Sequence, residues 1–268
     1  SMALLWSHRE KGVLYQVRAA GSSRRLYTDG VLHTQFNPRR IVTGSVWDLL
    51  WLPVFFLAAP RIERVLLLGA GAGAVIRQLN MLFQPKEIVA VENNPVHLRV
   101  AREFFGVTRQ MSVLHQADAA EFVRRYRGGR FDLIINDLFV ARGSVARRAL
   151  SCDSRWMKQL VRHLRTAGVL CVNFADQSEY LATPFSAWFG PGRRFGSAFE
   201  LRSPSTENVI AAMLPGRVDT ASLRAHLQAT PTLAGSLKAG HLRYEVRSMA
   251  RRPYSVPSNW LKKPGTVT

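Results

Sequence analysis

The sequence predicts an α/β protein in which a mostly parallel sheet is covered by helices on both faces. From residue 64 onward, short apolar strands alternate with segments of helical periodicity. The strands at 65–68 and 88–91 are apolar at every position, which is typical of strands buried on both faces. Apolar residues make up 47% of the 268 residues, so the chain has enough material for a core and a disordered chain is excluded.

The first sixty residues predict a small antiparallel β appendage followed by a helix. β-prone runs cover 13–17, 25–28 and 31–36, and Asp29-Gly30 predicts a hairpin between the last two. Residues 46–59 are the most apolar run but contain Asp48 and Pro53, and the run has only about half the length of a membrane helix. We expect a buried, kinked helix there and no membrane span.

Residues 61–230 predict the main domain, in which each strand is followed by a helix. Pro95 fits the first turn of a helix, and Asp118 can cap the next one. The expected strands are 65–68, 88–91, 111–114, 131–135 and 169–174, and the expected helices are 73–83, 95–105, 119–126 and 156–164.

The pattern weakens after residue 190. Runs at 195–201 and 208–214 predict an antiparallel pair that closes the sheet, and 219–229 predicts a helix. Residues 231–268 contain Pro253, Pro257 and Pro264 toward their end, so we expect a C-terminal tail that is extended or loosely packed.

The charge is strongly positive. Lys and Arg number 37 against 18 Asp and Glu, which gives +19 at neutral pH, and arginine pairs such as Arg24-Arg25 and Arg193-Arg194 lie in different segments. Two interpretations stay open: a solvated basic surface, or a surface that contacts a polyanion. The two cysteines form no disulfide framework or metal-ligand pattern, and the start lacks the order of a secretory signal, so we expect a cytoplasmic protein without a metal.

Three glycines follow the first strand of the main domain. Gly69, Gly71 and Gly73 lie where this strand turns into a helix, so the backbone can approach a ligand and the helix amides can meet a polar group. A tight strand-to-helix turn explains the same pattern.

Acids follow the next three strands. Glu92 comes about twenty residues after the glycines, where a carboxylate can accept both hydroxyls of a ribose. Asp118 follows the third strand and can face the amine of an adenine, and Asp137 follows the fourth. Because carboxyl ends of parallel strands meet at one edge, these residues predict a nucleoside pocket, with Asn93 and Ala119 beside it.

In this order, the parts resemble class I S-adenosylmethionine-dependent transferases and, within them, the spermidine synthase family. The resemblance covers roughly residues 12–175 and is carried by the hairpin LYTDGVL, the apolar segment, and the motifs VLLLGAGAG, VAVENNP, ADAAEF and FDLIINDLF. It implies a Rossmann-like class I methyltransferase sheet. It also implies S-adenosylmethionine or its decarboxylated form as cofactor, with Glu92 on the ribose, Asp118 on the adenine and Asp137 as the base for the attacking amine. A homodimer through the front hairpin and apolar segment is implied as well.

The chain departs from the family pattern at the acceptor side. Ala72 replaces an acid in the glycine loop, and Val140 stands where a second acid grips the polyamine. His33 replaces a glutamine, and Ser45-Val46-Trp47-Asp48 replaces a Tyr-His-Glu stretch. We expect His33 and Val140 in the substrate site and, in a protein of charge +19, poor binding of a polyamine.

Loss of the acid at Ala72 should admit ordinary S-adenosylmethionine, because an acid there would repel its carboxylate. The first expectation is therefore methyl transfer to an unidentified small-molecule acceptor. Aminopropyl transfer from decarboxylated S-adenosylmethionine is the alternative within the same fold. A non-catalytic nucleoside-binding or RNA-associated scaffold is the alternative from another class.

Overall fold

The computed structural model describes residues 2–142, 145–148 and 152–249, and of residues 139–142 and 145–148 it describes the backbone alone. These described residues form a four-stranded sheet, a two-stranded hairpin and an eight-stranded sheet. The expected α/β class, with a mostly parallel sheet and an N-terminal β appendage, is confirmed.

The N-terminal sheet is an antiparallel meander that runs β1, β2, β3, β4. Its strands are β1 (Ala3–Glu10), β2 (Val13–Ala20), β3 (Ser23–Thr28) and β4 (Val31–Phe36). Asp29 and Gly30 have φ of 49° and 80°, so both take the left-handed conformation that a two-residue hairpin turn requires. The sequence did not predict β1, because this edge strand buries too few side chains to show a clear alternation.

The apolar segment after β4 differs from the expected kinked helix. It forms two 3-10 helices, Val46–Leu50 and Leu52–Phe56. Pro53 lacks the amide hydrogen that a continuous α-helix would bond to the carbonyl of Leu49, so the tighter turns replace it. Trp51, between the two turns, is fully buried.

The large sheet follows with the predicted alternation. In chain order the elements are β5 (Arg64–Leu68), α1 (Ala74–Phe83), β6 (Glu87–Glu92), α2 (Pro95–Glu103), β7 (Val113–Gln116), α3 (Ala119–Arg125), β8 (Phe131–Asn136), β9 (Phe139–Arg142), β10 (Val145–Arg148), α4 (Ser154–Arg162), β11 (Leu164–Phe174), α5 (Gln177–Leu181), a 3-10 helix (Phe185–Ala187), β12 (Ser197–Arg202), β13 (Val209–Leu214), α6 (Thr220–Ala229), α7 (Pro231–Lys238) and β14 (Glu245–Ser248). β9 and β10 pair outside this sheet as the short hairpin.

The strand order in the large sheet is β7-β6-β5-β8-β11-β13-β12-β14. The strands from β7 to β11 are parallel, and β13, β12 and β14 continue antiparallel. The chain order therefore reverses between β5 and β8. In open α/β sheets a crevice forms at such a point, outside the carboxyl ends of the strands.

Both faces of the sheet are covered. Along β5, Val65 and Leu67 pack in the layer that contains α1, α2, the first two 3-10 helices and α6, whereas Leu66 and Leu68 pack in the layer of α3 and α4. This alternation of fully buried side chains explains why the strand is apolar at consecutive positions.

Some boundaries differ from the prediction. β7 begins at Val113, two residues later than expected, because Met111 and Ser112 close a turn on the carbonyl of Thr108. The segment from 231, expected as a loose tail, instead forms α7, whose Leu233 is fully buried, and β14, which pairs with β12. An exposed four-residue edge strand has no apolar alternation to reveal it. The prolines at 253, 257 and 264 lie outside the described residues.

Within the described part of the chain, no helix combines the length and the apolar character needed to cross a membrane. Cys152 and Cys171 are both buried, and burial raises the pKa of Cys171 well above its ordinary value.

Candidate active site

A cavity of about 840 Å³ lies between the carboxyl edge of the large sheet and the N-terminal sheet. Its volume falls in the range that holds a nucleoside together with a second small molecule. It brings together most of the residues that the sequence singled out, namely His33, Gly69, Gly71, Glu92, Asn93, Asp118, Ala119 and Asp137.

The glycine turn forms the floor of the cavity. A side chain at Gly69 would collide with the backbone carbonyl of Asp137, and Gly69 has a φ of 82°. Gly71, with a φ of 52°, faces the ring of His33. Gly73 differs from its expected role: it does not line the cavity, and a side chain there would strike Val107 instead. Gly69 therefore allows the turn to lie against the backbone of Asp137, and Gly71 allows it to lie close to the ring of His33. Gly73 is instead required where the turn packs against Val107.

Glu92 ends β6 with its carboxylate at the cavity. Oε2 accepts a hydrogen bond from the amide of Gly71 at 3.1 Å, and Oε1 accepts one from the amide of Asn94 at 3.3 Å. The side chain is only 10% exposed. Because a carboxylate has about four acceptor positions, Glu92 can hold the glycine turn and still accept hydroxyl groups.

Asp118 and Ala119 lie on the cavity wall at the start of α3. Asp118 is the N-cap residue, and its Oδ1 accepts a hydrogen bond from the amide of Glu121 at 2.9 Å. Its side chain is exposed while Ala119 is buried, so an acid and an apolar surface lie side by side. Such a pair suits the edge and the face of a purine ring.

Asp137 stands directly after β8, opposite the glycine turn. Its Oδ1 accepts a hydrogen bond from Nδ2 of Asn173 at 2.8 Å, and Oδ1 of Asn173 accepts one from Nδ2 of Asn208 at 3.0 Å. Asn173 is almost fully buried near the end of β11, and Asn208 precedes β13. This chain of amides fixes the orientation of the Asp137 carboxylate.

His33 enters the site from β4 of the N-terminal sheet. Its ring packs on His97 of α2 with 4.3 Å between the centroids. Burial and the neighbouring His97 lower the pKa of His33 to about 3. His33 is therefore neutral at physiological pH, and it presents no positive charge to the cavity.

His97 links three parts of the site. Its Nδ1 lies 3.4 Å from Oε1 of Glu92, and its ring meets the ring of Tyr15 edge to face. The hydroxyl of Tyr15 accepts a hydrogen bond from Nδ2 of Asn94, the N-cap residue of α2. The N-terminal sheet is thereby attached to the end of β6 beside Glu92.

Three departures from the family pattern can now be located. Asp48 is buried and holds the cavity loop by accepting hydrogen bonds from the amide and hydroxyl of Thr43, from the amide of Gly44 and from Gln78. Burial raises the pKa of Asp48 despite these donors. Ala72 is fully buried and does not line the cavity. Val140 lies in β9, where the structure describes no side chains.

The cavity is negative although the protein is strongly positive. Its described lining contains four carboxylates, Glu92, Asp118, Asp137 and Glu207, and no lysine or arginine. The expectation that the overall charge of +19 disfavours a cationic ligand therefore does not hold for the site itself, because nearby charges dominate a partly enclosed cavity.

The sequence reasoning missed Tyr15, His97, Asn173, Asn208 and Glu207. All except Glu207 act through another side chain of the site. Asn173 lies one residue before the end of a predicted strand, at the same edge as Asp137, and this position was the available signal. His97 lies in the predicted helix that directly follows Glu92. Tyr15, Asn208 and Glu207 lie in segments that only the fold brings to the cavity.

Comparison with known proteins agrees with this geometry. Residues 52–181 match the family model described as spermine/spermidine synthase domain. The chain is 30% identical over 130 residues to a spermine synthase of Arabidopsis thaliana, and 24% identical over 176 residues to a polyamine aminopropyltransferase of Vibrio vulnificus. The matches cover 47% and 63% of this chain, but only 34% and 56% of the two relatives.

Solved structures show the same fold. A probable spermidine synthase from Corynebacterium glutamicum has a TM-score of 0.64 at 15% identity, over 85% of this chain and 88% of that one. A spermidine synthase in complex with the transition-state analogue AdoDATO has a TM-score of 0.57 at 17% identity, over 82% and 75%. Human methyltransferase-like protein 13 in complex with SAH has a TM-score of 0.57 at 17% identity, over 80% and 98%. The fold thus occurs both in spermidine synthases and in a protein named as methyltransferase-like.

Proposed function

We propose, from the premise that the chain belongs to the spermidine synthase-like family, that it transfers an aminopropyl group from decarboxylated S-adenosylmethionine to an amine. The observation that carries this proposal is the negative cavity of a positive protein: four carboxylates and no lysine or arginine in its described lining. Both the sulfonium donor and an amine acceptor are cations, so a cluster of carboxylates favours their binding.

The residues present suit the adenosine part of the donor. Glu92 offers carboxylate oxygens at the end of the second strand of the parallel series, where the ribose lies in sheets of this class. Asp118 and Ala119 provide an acid beside an apolar wall for the adenine, and Gly69 and Gly71 line the same cavity. Asn93 completes this wall.

The other half of the cavity edge would receive the acceptor. On the far side of the crevice from Glu92, Asp137 follows β8, Asn173 lies near the end of β11, and Glu207 and Asn208 precede β13. Glu207 is exposed on the cavity rim, so it can pair with a second positive group of the acceptor. This carboxylate supplies a negative charge on the acceptor side, where Val140 supplies none.

In the reaction, the attacking amine must be neutral to present its lone pair. When bound, the donor supplies a carbon attached to a sulfonium sulfur, and as nitrogen bonds to that carbon the bond to sulfur breaks and leaves its electron pair on sulfur. Asp137 accepts the proton that the amine loses, and Asn173 keeps the carboxylate turned toward it. Neutral His33 covers the glycine turn without repelling the cation.

Methyl transfer receives less support than the sequence suggested. That expectation depended on Ala72, but Ala72 is buried away from the cavity lining. Both curated relatives are aminopropyltransferases or spermine synthases by name. The fold alone is shared with a methyltransferase-like protein.

A donor comparison tests the proposal. The protein would be incubated with an amine mixture and either decarboxylated or ordinary S-adenosylmethionine, and mass spectrometry would follow 5′-methylthioadenosine and S-adenosylhomocysteine. We expect 5′-methylthioadenosine from the decarboxylated donor and its loss in Asp137→Asn. Release of S-adenosylhomocysteine alone would establish methyl transfer, and binding of both donors without turnover would favour the scaffold.

A further inference from the structure

A second concave site lies at the opposite edge of the large sheet from the active-site cavity. A groove of about 640 Å³ is bounded by three segments: residues 166–167 in the first part of the strand β11, residues 190–194 before β12, and residues 215–217 after β13. The amino end of the parallel strand β11 contributes to it. Because the active-site cavity lies at the carboxyl ends of the same strands, a ligand in this groove leaves that cavity open.

Arginines surround this groove. Arg193, Arg194 and Arg217 line it, and its described lining contains no acid. Arg194 donates hydrogen bonds to the carbonyls of Thr166 and Arg165 at 3.1 and 2.7 Å, so its guanidinium is anchored beside the groove. The anchored side chain of Arg194 therefore forms a fixed part of the groove wall, together with the backbone.

The positive charge extends beyond the groove. Burial and the guanidinium of Arg130 lower the pKa of Arg194. Burial also lowers the pKa of His163, and Arg162, Arg127 and Arg130 lower it further. We call the whole set the arginine face, and it comprises Arg127, Arg130, Arg162, Arg165, Arg193, Arg194 and Arg217.

The charge of the arginine face is largely uncompensated. Among the described residues, Arg165 is the one member that pairs with a carboxylate, that of Asp132 at 2.8 Å. Six of the seven side chains are exposed, and Arg194 is half-buried. Neighbouring like charges repel one another, and binding of an anion relieves that repulsion.

We infer that the arginine face binds the phosphodiester backbone of a single-stranded nucleic acid. A small anion can contact two or three guanidinia, whereas the seven arginines here are spread over loops, the end of α4 and the start of β11, a distribution that matches a linear polyanion. Guanidinium forks bind phosphate oxygens in pairs. Gly192 and Gly216 leave open space at the groove, so a strand can approach the backbone. A positively charged groove that follows the backbone is typical of single-strand binding.

Among the described residues, the lining of the groove contains no aromatic side chain on which a base could stack, so the expected contacts are with phosphate groups and not with bases. We therefore expect binding that is independent of sequence and strongly dependent on salt. This inference is independent of the reaction in the cavity, because the two sites lie at opposite edges of the sheet.

The test uses the full chain and a fluorescent 20-nucleotide oligouridylate, with binding followed by anisotropy. The variant removes four arginines that have no side-chain hydrogen bond or ion pair among the described residues, Arg130→Gln, Arg162→Gln, Arg193→Gln and Arg217→Gln. The matched control removes the same charge from exposed arginines elsewhere, at Arg39, Arg40, Arg102 and Arg109. We expect at least tenfold weaker binding in the first variant and less than threefold in the control.

The salt dependence gives a second readout. Each phosphate contact contributes about 0.7 to the slope of log affinity against log salt for a single strand, so the first variant should lose up to about 3 from that slope. Equal weakening in the control would show that binding depends only on the overall charge of the protein, and it would overturn the inference. Equal competition by polyglutamate of matched charge would also overturn it, in favour of an acidic protein. Binding of 5′-methylthioadenosine to the cavity is measured in parallel and should be unchanged in both variants. This measurement shows that the variants are folded, and it does not depend on which reaction the cavity performs.

Discussion

Replacing Glu92 by glutamine should weaken nucleoside binding while the fold is kept. The carboxylate accepts hydrogen bonds from Gly71 and Asn94, and its remaining acceptor positions face the cavity. In Glu92→Gln the amide oxygen can still accept from Gly71, but the negative charge and half of the acceptor positions are lost. The substitution therefore removes the groups proposed to hold the ribose without emptying the space.

The magnitude follows from the two hydrogen bonds that a ribose would make. A hydrogen bond to a charged group contributes about 1.5–3 kcal/mol, and the amide keeps part of that. We expect a net loss of about 2 kcal/mol, which corresponds to roughly thirtyfold weaker binding. The amide nitrogen would face the amide of Asn94, which should also lower stability by about 1 kcal/mol, or roughly 2–4 °C in the melting temperature.

Isothermal titration calorimetry with 5′-methylthioadenosine measures the change directly. Glu207→Gln is the matched control, since it removes a carboxylate from the same cavity on the side proposed for the acceptor, and it should bind the nucleoside like the original protein. An unchanged affinity in Glu92→Gln would remove Glu92 from the ribose site. Equal weakening in both variants would show that overall cavity charge, and no specific ribose contact, governs binding.

Three further outcomes are expected. Asp137→Asn should reduce kcat, measured by steady-state kinetics, by a factor of about 10²–10⁴, while the affinity for the nucleoside, measured by calorimetry, stays within about threefold. An equal loss of kcat and of affinity would instead mean that Asp137 binds the sulfonium donor. The pKa of His33 is about 3 in the folded protein and 6.5 in the unfolded chain, so between these values a proton binds the unfolded chain more readily. The free energy of unfolding should therefore fall as the pH drops from 6.5 toward 3. In urea titrations at about pH 7 and 4.5, His33→Gln should show a smaller fall than the original protein. Gly69→Ala should lower the free energy of unfolding by at least about 1 kcal/mol more than Gly240→Ala. Both glycines have a positive φ, but only a side chain at position 69 would collide with the Asp137 carbonyl. Equal losses of stability in the two variants would argue against that collision.

The parallel part of the sheet could be predicted because it is a local property of the chain. A strand buried on both faces must be apolar at consecutive positions, as in β5 and β6, and this pattern is visible without any partner. The edge strands β1 and β14 bury little, so their sequences carry no such signal. For residues 46–59, the apolar sequence correctly indicated burial, but it did not reveal that Pro53 would give two 3-10 helices in place of one kinked helix.

The candidate site divides in the same way. Glu92, Asp118 and Asp137 each lie at or just after the carboxyl end of a strand, and the rule that parallel strands share a carboxyl edge brings them together from the sequence alone. Other side chains hold these acids in place. Asn173 of β11 donates a hydrogen bond to Asp137, and Asn208, just before β13, donates one to Asn173. His97 of α2 contacts Glu92, and Tyr15 of the N-terminal sheet packs on His97. His97 lies only five residues after Glu92, but Tyr15, Asn173 and Asn208 are too far along the chain from the acids for a local sequence pattern to reveal them.

The sequence by itself determined the α/β class, the glycine turn and the three acids of the cavity edge, because the burial of a strand and the succession of strands and helices along the chain are visible in local sequence patterns. Only the tertiary structure decided how the charge is distributed. A net charge of +19 is a sum that carries no positions, whereas folding places four carboxylates in one cavity and seven arginines at the opposite edge of the sheet. Because electrostatic interactions depend on distance and burial, this separation of charge, and not the net charge, is the basis for proposing a cationic ligand at one edge and a polyanion at the other.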